Sequence, residues 1–364
     1  MEIELQRLYR GTPCPSALTL PKCPHSGGHE STWRPPTLVR EGCLPPGKFS
    51  LAFIYILFFI SPLSSENTAM NQKVVLITGC SSGIGLALAV RLAKDEKNRF
   101  MVYATMRNLD KSEALAEAAG CTLGSTLKIK QLDVCDENSI KACVDSLPMR
   151  RVDILISNAG LGMIGPIECQ SIDEMKTVMD TNFFGLMRLL KEILPDMKTR
   201  KSGHIVVISN VMRIQGILFN DIYAASKFAI EGFCESLAVQ ALRFNLKISI
   251  FEPGPVITEF ERKVYEEGLK TDLTKADEVT ADMFNNILKN YNLIFKSLGQ
   301  TPEDVAEQTL KLITMKKPPF RHQTNTMYAY EDLNGDLPIE TFYKMVFEQD
   351  KRKLSNRKCF RDLL

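Results

Sequence analysis

The chain has few histidines, almost no net charge and few long apolar runs, and each of these features argues against a class of function. Only four of the 364 residues are histidines, and none lies between residues 205 and 321. With Lys+Arg at 45 and Asp+Glu at 43, the balance argues against nucleic-acid binding. The strongest apolar run, Phe49–Ile60, is shorter than the ~20 residues of a transmembrane helix. The ten cysteines contain no C-x-x-C pair and no zinc spacing, which favours reduced thiols in the cytosol.

The two ends of the chain differ in composition from its middle. Residues 1–69 are rich in proline and glycine, and we interpret them as an extension outside the fold, with Met70 as a natural starting point. The apolar run within them is alternatively a signal-like or membrane-dipping segment. In the basic tail, 326–364, the stretch Lys351–Arg361 suits an anionic membrane surface, and Cys359 is a candidate for acylation. We expect peripheral membrane association, with a solvated tail as the alternative.

Between residues 70 and 325, short apolar runs alternate with helical patterns. This alternation predicts an α/β fold, a Rossmann-type doubly wound parallel sheet with helices on both faces. The predicted strands are Val74–Thr78, Met101–Thr105, Leu127–Leu132, Ile154–Ser157, Ile205–Ser209 and Ile248–Glu252, with a last one near Arg321–Thr324. The predicted helices include Asp136–Leu147, Asp173–Lys198, Tyr223–Phe244 and one that begins at Thr301-Pro302. Such a sheet binds its ligand at the carboxyl ends of its strands.

The first predicted strand leads into a glycine-rich turn, Gly79-Cys80-Ser81-Ser82-Gly83-Ile84-Gly85, and a helical apolar stripe follows. Strand, glycine turn and helix is the order that places a pyrophosphate on helix N-terminal amides. The spacing G-x-x-x-G-x-G is a variant of the dinucleotide fingerprint. For this motif alone, an ordinary tight turn is the alternative.

The same turn also fits G-x-S-x-G, the nucleophile elbow of serine hydrolases. A hydrolase would need a histidine base, and beyond residue 70 the chain offers only His204 and His322. We expect His204 to face solvent beside a strand and His322 to lie in a late connection. The elbow also normally follows several strands rather than opening the domain. The pattern therefore favours a dinucleotide turn over a hydrolase.

Tyr223 and Lys227 lie one helical turn apart. Residues four apart share a helix face, so we expect the lysine ammonium close to the tyrosine hydroxyl. A nearby cation favours the phenolate and would lower the pKa of Tyr223, which makes it an acid or base near neutral pH. Such pairs are common on solvated helix faces, and this one gains weight from the glycine turn upstream.

Taken in order, these motifs resemble those of the short-chain dehydrogenase/reductase family over residues 71–325. The family's T-G-x-x-x-G-x-G matches the glycine turn with Thr78 before it. Its N-N-A-G matches Ser157-Asn158-Ala159-Gly160, with a departure at Ser157, and its P-G-x-V-x-T matches Pro253–Thr258. Asp133 matches the adenine-contacting aspartate, and Asn182 matches the structural and catalytic asparagine.

The resemblance implies a nicotinamide cofactor and hydride transfer to a carbonyl carbon, with Tyr223 as the proton donor. Lys227 would hold the ribose and depress the tyrosine pKa, and Asn182 would order a water that refills the proton. A homodimer is the family expectation. The implied cofactor-binding residues are Thr78, Gly79, Ser81, Ser82, Gly83, Ile84, Gly85, Arg107, Asp133, Asn158, Ala159, Gly160, Tyr223, Lys227, Pro253, Gly254, Val256 and Thr258.

Cofactor choice depends on Arg107, near the end of the second predicted strand. An acidic residue there would hold the ribose 2′-hydroxyl of NAD, whereas an arginine accommodates the 2′-phosphate of NADP. Thr105-Met106-Arg107 offers no carboxylate, and Ser81 adds a hydrogen-bond donor. We therefore predict NADP(H), which in cells favours carbonyl reduction. A surface arginine is the alternative interpretation.

One catalytic position departs from the family pattern. The family's serine, thirteen residues before the tyrosine, polarises the substrate oxygen, and Asn210 stands there in this chain. An amide still donates, but losing such a donor typically costs about 10²–10³ in rate. Ser209 is no obvious substitute, because adjacent strand residues point to opposite faces, and Arg213 stands where relatives carry glycine. The chain is either an enzyme that tolerates asparagine or a catalytically impaired nucleotide-binding protein.

The segment after Thr258 is expected to form the substrate pocket. Its apolar residues at helical spacing, Met283, Phe284 and Ile287 among them, suit a lipophilic ligand, with plain core packing as the alternative. Within the family, the resemblance is to retinol dehydrogenases and 17β-hydroxysteroid dehydrogenases. The steroid enzymes carry a histidine in this segment that meets the far end of the steroid. Its absence here favours reduction of all-trans-retinal over the estrone/estradiol reaction.

Overall fold

The strands that the structure describes form one parallel sheet. The computed structural model describes residues 72–210 and 218–324. The strands are β1 Lys73–Ile77, β2 Phe100–Met106, β3 Leu127–Gln131, β4 Ile154–Ser157, β5 Gly203–Ile208, β6 Leu246–Glu252 and β7 Arg321–Gln323. In this part of the chain, they are ordered β3-β2-β1-β4-β5-β6-β7 and all neighbours are parallel. The chain order reverses between β1 and β4, which is where an open α/β sheet forms its ligand crevice.

The central strands are buried along nearly their whole length. In β4 all four residues are buried, and in β5 all but Gly203. Strands covered by helices on both faces require continuous apolar runs rather than alternation, and these runs are the signal that predicted them. The predicted strands are confirmed, with ends that shift by no more than two residues.

Helices cover both faces of the sheet. They are α1 Gly83–Ala93, α2 Glu113–Ala119, α3 Glu137–Asp145, α4 Ile172–Met179, α5 Gly185–Arg200, α6 Asp221–Ala241, α7 Glu259–Gly268, α8 Glu278–Leu298 and α9 Pro302–Thr314. Side chains of α1 and α9 pack in one core cluster with the sheet, and those of α3, α5 and α6 pack in another. A capping box of Thr301 and Asp304 begins α9, with Pro302 at its first position, as predicted.

The long helix predicted over Asp173–Lys198 is interrupted. A π-helical segment, Asp180–Phe184, separates α4 from α5 and contains Asn182. The apolar periodicity continues across the interruption, so the pattern alone does not reveal it. Insertions of this kind occur frequently at functional sites.

Both histidines of the described ranges lie elsewhere than expected. His204 is buried at the start of β5 instead of facing solvent, and its Nε2 lies 3.0 Å from Ser249 Oγ of β6. The reason is that β5 is an inner strand with both faces covered. His322 lies in β7, the last predicted strand, and therefore not in the late connection expected for it; its ring stacks on Phe251 at 5.2 Å between centroids.

Several predictions concern residues outside the described ranges. The run Phe49–Ile60, Arg213 and the tail with Cys359 belong to this group. The division of the chain at residues 69 and 325 stays a prediction. Among the helices that the structure describes, none combines the length and apolar character needed to cross a membrane.

Candidate active site

The glycine turn after β1 is built around close backbone contacts. Gly79 and Gly83 have φ of +71° and +56°, a left-handed conformation that favours glycine. A Cβ on Gly85 would lie 2.2 Å from the Gly79 carbonyl oxygen and 2.6 Å from Asn158 Nδ2. No other residue fits there without displacing the turn. The turn is therefore a tight backbone cradle at the start of α1, the arrangement that accepts a phosphate group.

Hydrogen bonds tie this turn to the one after β4. Thr78 Oγ1 accepts from the backbone amides of Asn158 and Ala159, each at 3.0 Å. Asn158 Nδ2 donates to the carbonyl oxygens of Thr78 at 2.9 Å and Gly79 at 3.1 Å. Thr78 is buried, so its part is to position the turn.

A cavity of about 350 Å³ opens at the carboxyl ends of the strands. It is large enough for a small-molecule ligand. The predicted cofactor residues that line it are Gly79, Ser81, Ser82, Gly83, Ile84, Arg107, Asp133, Asn158, Ala159, Gly160, Tyr223, Lys227, Pro253, Gly254, Val256 and Thr258. Thr78 and Gly85 lie behind this surface and shape it. The cradle and the cavity together fit a dinucleotide.

The side of the cavity that follows β2 is basic. Arg107, Asn108 and Lys111 line it there. The Arg107 backbone is fixed by a bond from Gln131 Nε2 to its carbonyl oxygen at 3.2 Å, and Asn108 caps the following turn. Arginine and lysine side by side provide the charge and the donors that a phosphate group requires. This side of the cavity thus fits an anionic group rather than a bare ribose hydroxyl.

Tyr223 and Lys227 face each other on α6, and both side chains are buried. Lys227 Nζ lies 5.4 Å from the centroid of the Tyr223 ring and donates to the Ile208 carbonyl oxygen at 3.1 Å. The expected lowering of the tyrosine pKa is wrong for this structure: burial and the charge of Glu261 raise the pKa of Tyr223. Burial also lowers the pKa of Lys227 to about 8. Desolvation outweighs the attraction between neighbours here.

Asn210 lies at the end of β5 and lines the cavity. Its side chain is hydrogen-bonded to Tyr223, an interaction that favours the phenolate. Ser209, one position earlier, points the other way, and its hydroxyl donates to the buried carboxylate of Glu231 at 2.5 Å. Because Asn210 stands in place of the family's serine and Ser209 points away, the group beside the tyrosine is an amide and not a hydroxyl.

Asn182 is buried in the π-helical segment and does not line the cavity. Its Nδ2 donates to the Leu161 carbonyl oxygen and to Ser226 Oγ, both at 2.9 Å, and its Oδ1 accepts from the Leu161 amide at 2.7 Å. The side chain therefore fixes the turn after β4 to the helix that carries Tyr223. Its predicted part in ordering a water stays a prediction.

Of the four residues predicted for the substrate, Asn210 lines the cavity, and the three on α8 do not reach it. Met283, Phe284 and Ile287 pack in a third core cluster on α8, where Phe284 meets Phe219 edge to face at 5.2 Å. The wall is formed instead by α7, which begins the predicted segment after Thr258 but for which no helix was predicted. Its lining residues are Phe260, Glu261, Lys263, Val264 and Glu267. The signal for α7 is the capping threonine, Thr258, whose hydroxyl accepts from the Glu261 amide.

This geometry defines a class of protein. A dinucleotide cradle, a basic pocket after β2 and a tyrosine–lysine pair at one crevice characterise an NAD(P)-dependent oxidoreductase that acts on CH–OH groups. The sequence profile of the short chain dehydrogenase family matches residues 73–269. The chain belongs to the short-chain dehydrogenase/reductase family.

Relatives and solved structures agree with this assignment. Retinol dehydrogenase 8 of Homo sapiens is 49% identical over 286 residues, which is 77% of this chain and 92% of that protein. The 17-beta-hydroxysteroid dehydrogenase type 1 of Homo sapiens is 42% identical over 287 residues, 76% of this chain and 87% of that protein. The closed form of serine dehydrogenase complexed with NADP⁺ is 26% identical, with a TM-score of 0.58, over 72% of this chain and 99% of that one.

These findings confirm the predicted family, the Rossmann-type fold and the class of enzyme. The predicted cofactor, NADP(H), is the one held by that serine dehydrogenase. The hydrolase alternative is excluded, because the glycine turn lies within the residues that match the short chain dehydrogenase family.

Proposed function

We propose that this protein is an NADP(H)-dependent reductase of a lipophilic carbonyl, with all-trans-retinal as its substrate. The observation that carries the proposal is the side-chain hydrogen bond between Asn210 and Tyr223 at the wall of the cavity. Two hydrogen-bond donors at one point are what a carbonyl oxygen needs as it gains charge. The 49% identity to retinol dehydrogenase 8 supports the retinoid over other carbonyl substrates.

In this proposal NADPH, when bound, supplies the hydride, and the chain supplies position and a proton. The glycine cradle and Arg107 hold the phosphates. The Tyr223 hydroxyl donates its proton to the carbonyl oxygen, and Asn210 Nδ2 donates a second hydrogen bond to the same oxygen. Phe260, Val264 and Leu161 give the cavity an apolar wall that suits a hydrocarbon chain and excludes water.

A steroid is the second candidate substrate. The identity of 42% to 17-beta-hydroxysteroid dehydrogenase type 1 favours it, as does the polar part of the wall, where Glu261 and Glu267 offer acceptors for a substrate hydroxyl. Retinal has no second polar group to use them. Estrone therefore belongs beside retinal in the assay.

The test is oxidation of NADPH by the full chain with all-trans-retinal or estrone, run beside Asn210→Ser and Asn210→Ala. We expect turnover of retinal by the unaltered protein and a loss of about 10²-fold in Asn210→Ala, because an oxyanion donor is removed. NADPH binding followed by fluorescence should be equal in all three proteins. Turnover of estrone alone would replace the retinoid with the steroid. Turnover only in Asn210→Ser, or NADPH binding without turnover, would mean a catalytically impaired protein.

Two further expectations are part of the proposal, one from the family and one from the composition of the tail. We infer a homodimer, and peripheral membrane association through the basic tail 326–364. The lipophilic substrate supports the second inference, because retinoids and steroids partition into membranes. Both stay predictions.

A further inference from the structure

An ion cluster joins α6 to the last two strands, and the proposed chemistry does not use it. Arg321 of β7 donates to two buried carboxylates, Glu231 of α6 and, at 2.9 Å, Glu252 at the end of β6. Glu231 is only 3% exposed and Glu252 is 0% exposed, and Arg321 also pairs with the exposed Glu235. Buried carboxylates are costly unless they are paired and hydrogen-bonded. Arg321 therefore keeps these two charges inside the protein.

Glu231 also holds the chain just after β5. Its Oε1 accepts the Ser209 hydroxyl at 2.5 Å, while its Oε2 accepts from Arg321. Ser209 is buried and comes directly before Asn210, which lines the cavity. A carboxylate that accepts charge-assisted bonds and a hydroxyl on different oxygens is fixed in orientation as well as in place. Glu231 thus connects β7 to the end of β5.

The contacts of α6 with the end of β5 follow one face of the helix. Tyr223, Lys227 and Glu231 are spaced by four residues, so they lie on the same side of α6. Each is bonded to one of three successive residues, 208–210. Tyr223 is hydrogen-bonded to the side chain of Asn210, and Glu231 accepts from Ser209. Lys227 donates to the carbonyl oxygen of residue 208 at 3.1 Å. The proposed acid and its neighbouring amide therefore share this contact with the ion cluster.

We propose that Glu231 is a positioning residue, which fixes the end of β5 against α6 so that Asn210 stays beside Tyr223. This inference rests on the proposed function, in which these two side chains donate to one carbonyl oxygen. Stability is a weak explanation for the cluster, because apolar residues in place of a buried ion pair often leave a protein equally or more stable. A fixed geometry is a stronger one, since misplacing a reacting group by about 1 Å can cost about 100-fold in rate.

Ser209→Ala breaks the bond between the end of β5 and Glu231 and leaves every charge of the cluster in place. We expect kcat for the reduction of all-trans-retinal, or of estrone if the steroid is the substrate, to fall about 10-fold, because Asn210 is no longer held at the carbonyl oxygen. The KM for NADPH should stay near its original value, because the glycine turn that holds the phosphates follows another strand.

Ser249→Ala is the matched control. Ser249 is also a buried serine, on the neighbouring β6, but its hydroxyl donates to the Pro319 carbonyl oxygen at 2.8 Å and contacts His204 Nε2 at 3.0 Å. Each variant loses one buried hydroxyl, so we expect comparable losses of stability in urea denaturation. The kcat should fall in Ser209→Ala and stay nearly unchanged in Ser249→Ala. Equal losses of kcat would reflect stability alone and would overturn the proposal.

A double-mutant cycle tests whether the hold on β5 acts through Asn210. Ser209→Ala is made in the unaltered protein and in Asn210→Ala. If the serine bond serves to place the amide, losing this bond has no further effect on kcat once the amide is gone. Losses that multiply in the double variant would show two independent effects and would contradict the proposal.

Glu231→Asp separates position from charge. The aspartate keeps the negative charge, but it is one methylene shorter and cannot hold Ser209 and Arg321 at once. We expect kcat to fall about as far as in Ser209→Ala, because the end of β5 is released in both variants. An unchanged kcat would mean that the charge is sufficient, and the proposed positioning role would be wrong.

Hydrogen exchange separates this inference from the proposed function, because it needs no turnover. The Ser209 amide donates to the Phe251 carbonyl oxygen at 2.8 Å, so its exchange reports opening at the end of β5. In the ligand-free full chain, followed by mass spectrometry, we expect faster exchange there in Ser209→Ala than in Ser249→Ala. Equal exchange would overturn the proposal. A protein that reduces neither substrate but shows the faster exchange would contradict the proposed function and leave the hold of Glu231 on β5 standing.

Discussion

Burial decides the behaviour of the individual residues at this site. Tyr223 and Lys227 have the spacing of an acid–base pair, yet desolvation raises the pKa of one and lowers the pKa of the other. Both shifts favour the neutral forms. Sequence spacing reports which residues are neighbours, but it contains no measure of how much water reaches them. The pairing was therefore predictable, and the direction of the tyrosine shift was not.

The clearest test at the residue scale concerns Arg107. Arg107→Asp replaces the proposed phosphate donor with a carboxylate that would repel a 2′-phosphate and accept from a ribose hydroxyl. We expect the KM for NADPH to rise about 10- to 100-fold, the size of a lost charge-assisted hydrogen bond, and the KM for NADH to fall. NADH is the internal control, because it lacks only the phosphate. An unchanged preference would show that Arg107 is a surface residue.

Site residues were predictable from the sequence where the backbone requires a particular residue type, and not where the cavity requires only a suitable shape. Backbone motifs such as the glycine turn and Asn158 require particular residue types, and their place at strand ends was predictable. The wall of the cavity requires only suitable shape, so Phe260 and Val264 carried no signal, while Met283 and Phe284 had the helical pattern but pack in the core behind α7. Helical periodicity shows that a face is buried and not what covers it.

At the scale of elements, the strands were the most predictable part. Inner parallel strands are continuous apolar runs because both faces are covered, and such runs are visible in a sequence. The π-helical segment at Asp180–Phe184 was not visible, because its cause is tertiary. The Asn182 side chain is bonded to the turn after β4, and Arg188 is bonded to the Asp180 carbonyl oxygen. Contacts of this kind override the regular helix that the periodicity predicts.

The start of α1 gives a prediction for a whole element. Gly85→Ala would press a methyl group against the Gly79 carbonyl oxygen, and we expect a loss of roughly 1–3 kcal/mol in the free energy of unfolding, with weaker NADPH binding. Gly232→Ala is the matched control, because a Cβ at this exposed position of α6 meets nothing within 4 Å. That variant should gain up to about 1 kcal/mol from helix propensity. Urea denaturation and cofactor fluorescence measure both. Equal stability of the two variants would contradict the close packing at α1.

At the scale of the whole molecule, burying both faces of the sheet has an electrostatic consequence. Polar residues in the inner strands are buried together with their apolar neighbours. His204 is one of them, only 6% exposed and bonded to Ser249. A buried histidine must stay neutral unless a charge compensates it. Burial, helped by the charges of Lys247 and Lys73, lowers the pKa of His204 from 6.5 to about 4.

This shift predicts how stability depends on pH. The folded protein resists protonation of His204 down to about pH 4, whereas the unfolded chain binds that proton near pH 6.5. The unfolded state thus holds more protons in this window, so stability is fully present above pH 6.5 and falls as the pH drops towards 4. The loss from this residue is on the order of 3 kcal/mol. His204→Gln should be less stable at neutral pH but fall less steeply between pH 6.5 and 4 in urea denaturation. His322→Gln, at a less buried histidine, should keep most of the original slope. If both variants fell as steeply as the unaltered protein, carboxylates rather than His204 would control acid unfolding.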